Sequence, residues 1–195
     1  MTSSEIGLRD KILVTARNLF IQQGYHGLAM RQISESVGVS KAALYYHFKD
    51  KEELFLAILN IYLDEIESAI DGIQSKPISS SEHIRLFVEY ILGQPADQRA
   101  VMRLGSQEMA QLSASSQKVF GKTYREKFIG KLITIFQTGV AQGEFQPLNA
   151  EVATWALLGM MYPYFYPAHA SGKPVSAKVI DEIVTIYLKG IEIKK

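Results

Sequence analysis

Residues 30–48, MRQISESVGVSKAALYYHF, constrain the fold of this chain more than any other stretch. Ile33 and Val37 stand four apart, one helical turn, and so share the face of a short helix. Gly38 follows, the residue type that can end a helix with positive φ at no steric cost. Val39 turns inward, and Ser40 carries a hydroxyl suited to cap the start of a second helix. Leu44 and Phe48, again four apart, supply that helix with a buried stripe. Its other faces carry Lys41, Ala42, Ala43, Tyr45, Tyr46 and His47. Alanines let a helix approach base edges closely and can touch thymine methyls, while lysine, tyrosine and histidine can hold phosphates or bases. An ordinary amphipathic helix pair shares the glycine and the spacing. Two tyrosines and a histidine in a row on so small a helix fit better with a helix-turn-helix that reads the major groove of DNA.

The surrounding sequence resembles the tetracycline-repressor (TetR) family. The resemblance rests on Ile12, Leu13, Ala16, Leu19 and Phe20, on Gly24 and Tyr25, on Arg31 and Ile33, and on Gly38, Val39, Ser40 and Lys41. It continues through Leu44, Tyr45, Tyr46, His47 and Phe48 to Lys51, Glu52, Glu53 and Leu54. It covers residues 8–56, and no comparable motif lies beyond. The resemblance implies an all-α protein of about nine helices. A three-helix helix-turn-helix domain (residues 1–50) would be joined by a long helix to a larger bundle (residues 51–195) that senses a ligand and dimerises. Arg31 and Lys51 are phosphate clamps by the same resemblance. With them, Ser40, Lys41, Ala42, Ala43, Tyr45, Tyr46 and His47 make up the expected DNA-facing set. One departure stands out. Family members usually carry Thr or Ser just before the first helix of the pair, where this chain has Leu28 and Ala29. That helix start lacks a side-chain cap, typically worth about 1 kcal/mol, and one phosphate contact. Ser34 occupies a position where a small alanine is common.

Composition sets wider bounds. The 195 residues are 47% hydrophobic and 21% charged, ample for a core and ordinary for a soluble protein. There is no cysteine, which removes disulfides and cysteine-held metals. No apolar run is long enough to span a membrane and the N-terminus has no signal-peptide core, so a cytoplasmic protein is expected. The net charge is only +1, but residues 1–51 hold seven Lys/Arg against four Asp/Glu, leaving 14 against 16 in the remainder. A local positive face is what a polyphosphate needs.

The chain reads as helical throughout. Ile12, Ala16, Leu19 and Phe20 stripe a first helix that stops at Gly24. Asp50 with Glu53 forms a capping-box pattern opening a long helix, striped by Leu54, Ile58, Tyr62 and Ile66, that runs past Gly72 or ends near it, before Pro77. After a Pro/Ser loop, a helix from Ser81 or Glu82 carries Ile84, Phe87, Val88 and Ile91 to Gly93. A shorter one follows from Asp97 to about Leu104. The spacing then predicts a long helix over residues 116–142, stopped by Gly143, and one capped by Asn149 that Pro163 kinks or ends. The last helix is expected over residues 176–193.

Two tasks are expected of the larger domain. Tyr62, Phe87, Tyr90, Met102, Met109, Phe120, Tyr124, Phe128 and Trp155 are the side-chain types that line an apolar ligand pocket, as well as any helical core. The expected effector is a small, largely apolar molecule. Ala153, Ala156, Leu157 and Met160, with Ile183, Ile186 and Tyr187, offer apolar faces with small residues for a homodimer, which would read a pseudo-palindromic operator. The resemblance points to the same two helices, packed as a four-helix bundle between subunits.

Rival readings find less support. His26, His47, His83 and His169 are scattered, and no metal-binding, phosphate-cradling or nucleophile motif is present, so neither an enzyme nor a cofactor is expected. A DNA-binding regulator without a small ligand, or a helical adaptor docking through the aromatic residues 162–166, remains as an alternative to a ligand-released repressor.

Overall fold

A computed structural model describes residues 7–166 and 174–193. His169 lies outside them. Among the described residues there is no β-strand, only one isolated bridge between Phe145 and Glu192. The helices are α1 (Leu8–Gln23), α2 (Met30–Val37), α3 (Lys41–His47), α4 (Lys51–Gln74), α5 (Ser80–Gly93), α6 (Ala96–Glu108), α7 (Ala114–Tyr124), α8 (Gly130–Ala141), α9 (Ala150–Met161) and α10 (Ala177–Ile191). A π-turn, Arg125–Ile129, carries α7 into α8 without a break, so these ten segments form nine helical rods among the described residues.

Local chemistry sets most of the ends. The Gly38 backbone is left-handed (φ 79°), and its N–H and that of Val39 both return to the Ser34 carbonyl at 3.0 Å. The Ser40 hydroxyl accepts the Ala43 N–H at 3.1 Å, and the Asn149 side chain accepts those of Glu151 and Val152. At α4 the Asp50 carboxylate caps the Glu53 N–H at 2.7 Å, while Glu53 reaches back to the Lys49 N–H at 2.9 Å. The start of α2 has no side-chain cap on Ala29, as its sequence implies; its one local aid is Gln32, which accepts the Ala29 N–H at 2.8 Å. Pro163 ends α9, and a 3₁₀ turn (Tyr162–Phe165) follows.

Some bounds differ from the sequence reading. α5 begins at Ser80 because Ser79 is its cap. α6 runs past Leu104 to Glu108, with Gly105 inside the helix and its Cα face packed close to the Leu59 side chain.

The helices fall into two compact units, and their division differs from a cut after residue 50. One unit contains residues 7–62 together with Leu104–Phe120; the other contains Leu63–Arg103 and residues 121–193. The first has a core of Ile12, Ala16, Phe20, Leu28, Ile33, Val37, Leu44, Phe48, Leu54 and Phe55. In the second, α5 packs on α8 and α10, and α8 on α9. Its core includes Phe87, Val88, Phe128, Leu132, Phe136, Phe145, Leu157 and Val184. Gly139 is obligatory there, because a Cβ would overlap the Phe145 ring. Among the described residues no helix is long and apolar enough to cross a membrane.

Candidate nucleic-acid interface

Helix α3 is held by few contacts, which leaves most of its surface free. Only Leu44 within it is buried, followed by Phe48 at its end. Ser40, Lys41, Ala42, Tyr45 and Tyr46 are exposed, and Ala43 and His47 are half-buried. Tyr46 is 86% exposed, an unusual degree for a tyrosine and one that no packing explains. Its ring meets His47 edge-on at 5.3 Å, and the Lys41 ammonium lies 5.7 Å from the Tyr45 ring centroid. Helix α2 braces this surface through Met30, Ile33, Ser34 and Val37. Ser34 fits the buried position and donates its hydroxyl to the Arg31 carbonyl at 2.8 Å.

The two expected phosphate clamps are placed differently. Arg31 is exposed on α2 and forms an ion pair with Glu35 at 2.7 Å, which holds its guanidinium above the usual arginine range. Lys51 is half-buried. Its ammonium donates to the Tyr25 carbonyl at 2.7 Å and the Leu28 carbonyl at 3.0 Å, and lies 4.2 Å from the Tyr25 ring centroid. Burial pushes its pKa down. In this structure Lys51 ties the loop between α1 and α2 to the start of α4. Its partners lie 26 and 23 residues upstream, so nothing in the local motif reveals them.

Sequence reasoning overlooked Lys49, which is exposed in the bend between α3 and α4. The only signal was its place in the run His47–Phe48–Lys49–Asp50. It also overlooked Glu52, whose carboxylate accepts the Ser113 N–H at 3.0 Å.

The residues expected to line a ligand pocket divide between the units. Tyr62, Met109 and Phe120 belong to the first and are half-buried. Phe87 and Phe128 are fully buried in the second, their rings 6.0 Å apart, with Tyr124 against Phe128 at 5.3 Å. Tyr90 and Met102 there are half-buried. Trp155, on α9, is 48% exposed. Of the expected dimer face, Ala153, Leu157, Ile183 and Tyr187 are buried in their own subunit, where the Tyr187 hydroxyl donates to the Ala153 carbonyl at 2.6 Å. Ala156 and Ile186 face outward, joined by Val152, Trp155 and Gly159, and Met160 is half-buried. The aromatic residues 162–166 pack largely on themselves, with Phe165 buried and the Tyr162 and Tyr166 hydroxyls 2.8 Å apart. No group of three or more His, Cys, Asp or Glu side chains among the described residues is arranged to hold a metal ion.

Comparison with known proteins gives these features a context. Residues 12–58 match the family model described as bacterial regulatory proteins, tetR family, and residues 77–191 match that of the tetracyclin repressor-like C-terminal domain. The chain is 26% identical over 192 residues to the HTH-type transcriptional repressor KstR2 of Mycolicibacterium smegmatis, covering 94% of this chain and 90% of that one. It is 35% identical over 81 residues to the HTH-type transcriptional activator FasR of the same species, covering 42% of this chain and 37% of FasR. It thus spans little more than a third of FasR's length. Its fold is similar to that of AibR, crystallised with isovaleryl coenzyme A and operator DNA, at a TM-score of 0.78 and 24% identity, covering 92% of this chain and 97% of AibR.

Proposed function

This chain belongs to the TetR family of bacterial transcription regulators, and from that premise we propose that it is a homodimeric, cytoplasmic repressor released from its operator by a small, largely apolar ligand. The observation that carries the DNA half is α3: a Ser40-capped helix with one buried residue and Tyr46 almost wholly in solvent. A single short helix touches too few bases for useful affinity, so two copies related by a two-fold axis would read a pseudo-palindrome. Ser40, Lys41, Ala42, Ala43, Tyr45, Tyr46 and His47 face the groove in this reading. Arg31 and Lys49 hold phosphates, and Lys51 keeps the module in shape. The outward apolar strip of Val152, Trp155, Ala156, Gly159 and Ile186 on α9 and α10 is the surface for the second subunit.

The ligand half rests on the apolar, aromatic interior of the second unit around Phe87, Tyr124 and Phe128. AibR supports it as a protein of this fold that was crystallised with both an acyl-coenzyme A and DNA, and KstR2 supports repression as a relative of nearly the same length. Residues 1–50 read DNA, and residues 51–195 sense and dimerise. Ligand shifts α4, which begins at Lys51, and the two recognition helices then no longer match adjacent grooves. The shift requires that ligand bind the DNA-incompetent state more tightly, and it makes ligand and operator weaken each other equally.

Footprinting on the DNA flanking the protein's own gene tests this reading. A protected site with two-fold symmetry is expected. Uniform cleavage at saturating protein would refute it.

A further inference from the structure

Glu52 is the second residue of α4, yet its carboxylate leaves its own helix. Oε2 accepts the Ser113 N–H at 3.0 Å, while Oε1 accepts the Ser113 hydroxyl at 2.5 Å and the Ser116 hydroxyl. Ser113 stands at the start of α7: its carbonyl accepts the Gln117 N–H at 2.9 Å, and its hydroxyl oxygen accepts the Ser116 N–H at 3.3 Å. One anion on α4 thus caps a second helix from outside, where unpaired N–H groups and the helix dipole favour negative charge. The three donors hold the carboxyl below the usual carboxylate range.

Two features distinguish this from an incidental surface contact. The junction is fastened again close by, through a 2.6 Å hydrogen bond between the His26 ring and the Gln111 side chain and through Leu112, which is buried. The helix that Glu52 caps also continues without a break in helical backbone through the π-turn into α8. Directional hydrogen bonds weaken steeply with misalignment, so helix shifts of about 1–2 Å strain or break such a cap.

We infer that Glu52 is the positioning residue that couples α7 to the DNA-reading module, through its hydrogen bonds to Ser113 and Ser116. The inference rests on the ligand-responsive reading above and names the contact that transmits the response. An axial shift of α7 is delivered to the first turn of α4, one residue from Lys51 and its ties to the loop between α1 and α2. Without the carboxylate, α7 and α4 move independently. The operator still binds, but its binding is no longer felt along α7 and α8.

Hydrogen exchange on the full-length chain, with and without a duplex selected from a random pool, tests this without any effector. The wild-type chain should show DNA-dependent changes in amide protection in peptides from residues 128–140, well beyond the cap. Glu52→Ala should bind the same duplex with affinity changed by less than about fivefold, the low end of typical coupling, and lose that distant response. Ser113→Ala/Ser116→Ala, which keeps the carboxylate and removes its hydroxyl donors, should lose it too. An unchanged distant response in both variants would overturn the coupling through Glu52, as would its absence from the DNA-bound wild-type chain. Failure of the wild-type chain to bind any duplex would instead sink the DNA-binding reading itself.

Discussion

The Lys51 ammonium donates to the Leu28 carbonyl across 3.0 Å, joining the first turn of α4 to the loop that precedes α2. A second bond, to Tyr25, and the Tyr25 ring beneath it complete the cradle. A motif residue expected to meet DNA thus serves the frame that presents the DNA-reading helices. Lys51→Met keeps the stem and removes the donor. It should lower stability by about 1–2 kcal/mol, read as a lower urea midpoint, while leaving the slope of log K against log salt near that of the wild type. A slope reduced by about one unit with unchanged stability would instead support a phosphate clamp.

At Gly38, an added Cβ meets nothing within 4 Å, so the whole cost of Gly38→Ala is backbone strain at φ 79°. A loss of about 1 kcal/mol in unfolding free energy is expected. Thermal denaturation showing no loss would mean that the turn relaxes.

Burial pushes the Tyr124 phenol up to about 12, from an ordinary value of 10.0. The folded chain therefore keeps this proton where the unfolded chain releases it. The resulting stability is complete below about pH 10 and is lost as pH rises through about 12. Tyr124→Phe should make the alkaline fall in the urea midpoint shallower, by an amount of order 2 kcal/mol across that window. Matching pH profiles for the two chains would show that Tyr124 titrates normally.

Ile186 is 66% exposed on α10, as Val152 and Trp155 are exposed on α9. Ile186→Glu places a charge in the proposed subunit contact without touching the core. Light scattering should then report single subunits with unaltered helical circular dichroism, where the wild type is a dimer. A variant that remains dimeric would move the interface elsewhere.

What the sequence disclosed was chiefly local. Ser40, Asp50 and Asn149 act on N–H groups two or three residues away, and Gly38 acts on its own φ, so each is legible from neighbouring letters. Lys51 and Glu52 act across 23 to 64 residues, and no periodicity encodes such partners. Segment Leu104–Phe120 joins the N-terminal unit for the same reason: its anchors, Gln111 to His26 and Ser113 to Glu52, are tertiary. The expected dimer residues divide between inward and outward positions because α9 and α10 carry apolar residues on more than one side. Burial takes Leu157 and Tyr187 inward and leaves Trp155 and Ile186 outside.

The central claim is that α3 reads duplex DNA in two copies per molecule. Selection of purified wild-type chain against a random duplex pool at low ionic strength tests it most directly. Enrichment of a two-fold symmetric site, with half-sites centred about one helical turn of DNA apart or a multiple of it, and a change of the enriched bases in Ala42→Ser, are the predicted results. Retention of no duplex, or equal retention of every sequence, would contradict it.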